Sequence, residues 1–217
     1  LHYLQNLISE LDFTSMGQAA ARVVSVLLCL SVHETCHGLM AYKLGDPTAK
    51  SMHRLSLNPL RHIDWFGLAM MFVCGFGWAK PVPVDPRYFR KPKQGMALTA
   101  LAGPISNFLL AIVLMLCARL VYSFAPYSEL WDAVFTFFLS TAILSIGLGL
   151  FNLVPIPPLD GSKVLAVLLP DRAYAQLMRY ERYGMILLIV LSFTDVGGNA
   201  ISGAISAVYG ALCNLIF

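Results

Sequence analysis

From about Gln18 to Leu44 the chain is apolar except for one turn, His33-Glu34-Thr35-Cys36-His37, within SVLLCLSVHETCHGLMAYKLG. A segment of that length and composition reads as a membrane-spanning helix. Two histidines four residues apart lie on one helical face, one above the other, so both imidazoles can serve a single metal ion. The intervening glutamate is then placed to act as a general base towards water. Ionisable side chains inside a spanning helix are costly unless a metal or partner compensates them. A solvated helix face, the ordinary explanation of HExxH in a soluble protein, does not apply in an apolar span. A structural zinc site would call for four protein ligands and no adjacent glutamate. The turn therefore reads as a buried catalytic metal site.

The rest of the chain fits a membrane setting. Of 217 residues, 58% are hydrophobic and only 12% charged, about half the charged fraction of a globular domain. The net charge of +3 comes from basic residues in loops flanking apolar runs. That pattern suits anchoring and orientation and gives no footprint for nucleic acid. The five cysteines, Cys29, Cys36, Cys74, Cys117 and Cys213, form no CxxC pair and all lie in apolar stretches. They read as small hydrophobes rather than disulfide partners or ligands. The chain starts at Leu1, and no separate signal peptide is recognisable.

Spans are expected at about 18–44, 96–124 and 131–154, with 183–217 forming one span or two around Asp195-Val196-Gly197-Gly198-Asn199. The patch WFGLAMMFVCGFGWA (65–79) is short for a span of about 20 residues. Its glycines and aromatics predict a re-entrant loop or hairpin. A short helix is expected from about Gly161 to Leu169. The fold class is thus an all-α polytopic membrane protein. It would be a bundle of about four to six transmembrane helices, with a re-entrant β or loop element between the first two core helices, organised as one domain over 1–217. The loop 45–94 carries Lys50, Arg54, Arg61, Lys80, Arg87, Arg90, Lys91 and Lys93, whereas the turn 124–131 carries no lysine or arginine. The positive-inside rule places the basic loop, and the opening of the metal site, on the cytoplasmic side of a cell membrane.

A catalytic zinc commonly takes three protein ligands, so one more is needed. His53, His62, Asp64, Asp85, Glu129, Asp132, Asp160, Asp171, Glu181 and Asp195 are the candidates, and most fall in polar loops or at helix ends. Asp160 differs, lying in NLVPIPPLDGSKVLAVLL between a span and an apolar helix. An aspartate there can equally be an N-cap, but the need for a ligand at membrane depth favours the metal. His53 and His62 read as interfacial.

HETCH in a first span, LAGPISNF in a later one and NLVPIPPLDG after the next resemble the signature set of site-2-protease-type intramembrane zinc metalloproteases, peptidase family M50. LGDPTAK, LSLNPLRHID and GFGWAKPVPVDP are similar to the compact prokaryotic branch without a PDZ domain. The likeness runs from about Ser31 to Leu169, with Leu159 before Asp160 where some branches have proline. It implies His33, His37 and Asp160 as ligands of one Zn²⁺ per chain, and Glu34 as the catalytic base. It also implies a re-entrant β element near 65–79, and places Asn107 and Asn152 near the active site. These amides would hold a substrate strand or stabilise the oxyanion, unless they only bridge helices. The implied activity is endopeptidase cleavage of a transmembrane segment of another membrane protein, as in regulated intramembrane proteolysis. The implied partners are that segment, the lipid bilayer and a regulatory membrane protein. No PDZ insertion and no module after residue 217 is visible. A membrane zinc transporter and a non-catalytic membrane scaffold are the alternatives. A transporter would spread ionisable residues over several spans, and a scaffold would be expected to have lost Glu34 or a ligand.

Overall fold

The computed structural model describes residues 16–65, 67, 80–165, 167–179, 183–184, 187–188 and 195–217. Helix α1 spans Met16–Lys43 and the single turn α2 spans Thr48–Ser51. Helix α3 spans Pro92–Phe124 and α4 Glu129–Asn152. The short α5 covers Asp160–Leu165, α6 Asp171–Arg179 and α7 Asp195–Ile216. Among the described residues there is no β-strand, and four helices, α1, α3, α4 and α7, are long and apolar enough to cross a bilayer. The chain is an all-α polytopic membrane protein. The re-entrant element expected at 65–79 falls almost wholly outside the described residues, as do Cys74 and the start of the region 183–217.

Helix boundaries follow local chemistry. Pro92 opens α3 at a position where its missing N–H costs nothing. Ser128 caps α4 by accepting the N–H of Trp131. Proline follows α4 at positions 155, 157 and 158, and the Pro157–Pro158 bond is cis. That run ends the long helix and lets the chain turn back into α5.

The centre of the bundle is a cluster of small and branched side chains. Ala111, Met115 and Ala118 of α3 meet Ala142 and Ile146 of α4, with Tyr209 of α7 against them. Small residues let helix backbones approach, which drives packing where lipid removes the hydrophobic incentive. Polar side chains bridge the helices at membrane depth: Ser25 of α1 bonds Thr141 of α4 at 2.7 Å, and Ser145 of α4 donates to the Asn107 carbonyl of α3 at 2.8 Å. The opposite face of α3 exposes Leu98, Ile105, Leu109, Val113, Leu116 and Leu120 at helical spacing. An unbroken apolar stripe of that length is tolerated facing lipid and not water.

The loops after α1 and before α3 are tied by Asp46, which is fully buried. One of its oxygens accepts the N–H and hydroxyl of Thr48, and the other accepts the Asp85 N–H at 2.7 Å. Asp46→Ala strands three part-buried donors and should cost about 1–3 kcal/mol. Asp46→Asn, which keeps one acceptor oxygen, should cost less. Chemical unfolding in detergent reads both, and an Asp46→Ala protein as stable as wild type would disprove the clamp.

Candidate metal centre

His33 and His37 stack along α1 with ring centroids 4.5 Å apart and planes nearly perpendicular. His33 lies ten residues before Lys43, about 15 Å along a helix rising 1.5 Å per residue. Asp160 reaches them from the first turn of α5, which the proline-rich turn after α4 brings back against α3. The His33 and His37 Nε2 atoms are 3.0 Å apart, and each lies 3.1 Å from Asp160 Oδ2. All three side chains are buried.

The donor set itself tests what belongs here. His37 Nδ1 donates its proton to the Thr99 carbonyl at 2.7 Å, so in the neutral ring Nε2 presents a bare lone pair. That lone pair faces a second imidazole nitrogen and a carboxylate oxygen. Electron-rich atoms converging on one point in a buried site suit a cation between them. Two nitrogens and one oxygen suit zinc, and three protein ligands are the catalytic pattern. Asp160 contributes Oδ2 to this convergence. Its outer oxygen, Oδ1, lies 3.5 Å from Lys163 Nζ. Among the described residues, this is the one cluster of three or more His, Cys, Asp or Glu side chains close enough to hold a metal.

The cluster opens into a cavity of about 380 Å³. Glu34, His33, His37 and Asp160 form its polar side, and Leu30, Met96, Leu148, Phe151 and Leu188 contribute to its apolar walls. Glu34 Oε2 accepts the backbone N–H of Val82 at 2.9 Å. Pro81 and Pro83, which have no N–H, flank Val82 in a segment that lines the cavity. Asn152 stands in the cavity wall with its amide donating to the Leu148 carbonyl at 3.0 Å. Asn107 does not line the cavity. It is fully buried behind His33, its amide 3.1 Å from His33 Nδ1.

Four of the other ligand candidates go elsewhere, and the side chains of Asp171, Glu181 and Asp195 fall outside the described ones. His62, expected at the interface, is buried, because the loop folds over it and its Nε2 donates to the Ser56 carbonyl at 2.7 Å. His53 is exposed, Asp64 accepts the Gly67 N–H, and Asp85 pairs with Arg87 at 2.6 Å. Sequence reasoning missed Thr99, the Val82 N–H and Lys163. Only Lys163 left a signal, its i,i+3 spacing from Asp160 on a helix.

The sequence profile described as Peptidase family M50 matches residues 21–194, most of the chain. The chain belongs to peptidase family M50. This is a family of zinc-dependent proteases, and the converging donors are the set such an enzyme needs. "Putative zinc metalloprotease YwhC" of Bacillus subtilis is 39% identical over 180 residues, covering 81% of each chain. "Putative zinc metalloprotease Rip2" of Mycobacterium tuberculosis is 30% identical over 172 residues, 76% of this chain and 63% of that protein. "Zinc metalloprotease MJ0392" of Methanocaldococcus jannaschii is 26% identical over 152 residues, 69% of this chain and 35% of its own length. No solved structure matches the chain.

Proposed function

We propose that this M50 protease is an intramembrane endopeptidase that cuts a transmembrane segment of another membrane protein. The observation that carries the reading is the placement of two helix-borne histidines, an aspartate and a glutamate on one cavity among helices of membrane-spanning length. His33, His37 and Asp160 are the ligands in this reading. Zinc bound there would polarise the scissile carbonyl and make water acidic enough to be deprotonated near neutral pH.

Each protein group then has a task. Glu34 takes a proton from the attacking water and passes it to the leaving amine. The Val82 N–H holds one Glu34 oxygen, which fixes the carboxylate and leaves the other oxygen for the water. Asn152 spends one amide hydrogen on Leu148; its second donor and its oxygen are available to the substrate backbone. Lys163 holds the outer oxygen of Asp160, so that only Oδ2 turns to the ion. The apolar walls take the side chains of a membrane segment. The peptide groups of a helical segment are engaged in its own hydrogen bonds, so the segment unwinds locally to present a carbonyl. The basic loop faces the cytoplasm in this reading, and a regulatory membrane protein would act at the same mouth.

The test is reconstitution in vesicles with a panel of single-span proteins, followed by mass mapping of the products. Cleavage inside the apolar segment, stopped by a zinc chelator and restored by zinc, is the expected result. Cuts confined to flanking polar segments would overturn intramembrane cleavage. Zinc uptake into the vesicles without proteolysis would favour transport.

A further inference from the structure

Three buried side-chain atoms among the described residues lack a hydrogen-bond partner, and one of them, Asn107 Oδ1, belongs to the amide beside a metal-facing histidine. Asn107 Nδ2 lies 3.1 Å from His33 Nδ1. If the amide donates there, His33 Nδ1 is bare and the ring proton sits on Nε2. That proton would occupy the point where His37 Nε2 and Asp160 Oδ2 also converge, and His33 could not bind a cation. The two ends of an asparagine amide have the same shape, and the hydrogen-bond network decides between them. Turned by 180°, Oδ1 accepts the His33 Nδ1–H, the orphaned acceptor gains a donor, and Nε2 presents its lone pair. His37 already follows this pattern, with Nδ1–H on the Thr99 carbonyl.

We propose that Asn107 is the positioning residue of the metal centre: its amide oxygen takes the His33 Nδ1–H and so fixes the tautomer and ring angle that present Nε2 to zinc. The inference rests on the assignment of His33 as a ligand, and it removes Asn107 from the groups that touch substrate. Its fixed place supports the role. The Asn107 carbonyl is held by Ser145 from α4, the side chain is 0% exposed, and a helix backbone rather than a loop carries it. Outer groups that orient a ligating imidazole are worth about 10–100-fold in metal affinity.

The experiment measures zinc affinity by chelator competition on full-length protein in detergent, alongside cleavage at saturating zinc. Asn107→Leu should weaken zinc about 10–100-fold. Asn107→Asp keeps an acceptor and loses the amide donors; it should bind zinc within a few-fold of wild type and still cleave. In a His33→Ala background, Asn107→Leu should cause no further loss. Asn107→Asp with normal zinc but abolished cleavage would mean a substrate or oxyanion donor and would overturn the proposal. So would additive losses in the double variant, or an Asn107→Leu protein with unchanged zinc affinity. If Asn107→Leu fails to fold, Asn107→Asp still decides: zinc loss comparable to His33→Ala refutes the acceptor role. Wild type that binds zinc yet cleaves nothing counts against the protease reading alone, because the affinity comparisons need no substrate.

Discussion

Glu34→Gln should lower cleavage by about 10²–10⁴-fold while zinc content stays at one per chain, the range general acid–base catalysis usually supplies. That is about 2.7–5.5 kcal/mol of barrier. Glu34 lies outside the converging atoms of His33, His37 and Asp160, so its substitution should leave the metal in place. The glutamine amide oxygen can still accept the Val82 N–H, so the segment lining the cavity should stay where it is. What disappears is a carboxylate able to take the proton of water. Metal analysis and turnover measured on the same preparation separate the cases. Full turnover by Glu34→Gln would move the base to another residue. Loss of zinc would make Glu34 part of the ligand set, contrary to the geometry.

The fold and the metal centre were legible in the sequence to different depths. Three of the long helices were readable to within a few residues, because apolar length and the Gly45 and Pro155 punctuation are local signals. The two histidines and Glu34 were equally local, one turn of one helix. Asp160 was not, because it joins His33 across 127 residues, and ten acidic or histidine side chains competed for the place on local grounds. Its place between a span and an apolar helix favoured it, the likeness to a family agreed, and the structure brings it to the histidines. Asn107 was placed near the active site by the same likeness, with a substrate-facing role and a helix-bridging one both open. Which face of α3 it occupies depends on how α3 rotates against α1, and its polarity alone could not report that. His62 shows the same limit from the other side: basic neighbours suggested an interfacial residue, yet loop closure buries it on the Ser56 carbonyl. Thr99 contributes only its backbone carbonyl, which no side-chain pattern can advertise.

Gly103→Ala should weaken zinc by more than about 100-fold, and cleavage should fall with it. Gly103 lies on α3 where the helix crosses the two histidines. A Cβ added there would stand 2.5 Å from His37 Cε1 and Nε2 and 2.6 Å from His33 Cε1. Non-bonded carbons settle at about 3.5–4.0 Å, so roughly 1 Å must be found. Neither ring can readily yield it. His37 is held at its far edge by the Thr99 carbonyl and His33 by Asn107. Either the rings turn away from their common point, or α3 moves off α1 and carries both orienting groups with it. Each response separates the ligand atoms, whose mutual 3.0–3.1 Å spacing defines the site. The central packing of α3 around Ala111, Met115 and Ala118 lies two or more turns further along, so the bundle should still form. Gly203→Ala in α7 is the control, since nothing lies within 4 Å of its added methyl; it should leave zinc affinity unchanged. Zinc competition titrations and far-ultraviolet helicity on the two variants make the comparison. Normal zinc affinity in Gly103→Ala would mean that α3 does not press against the histidines in the working enzyme.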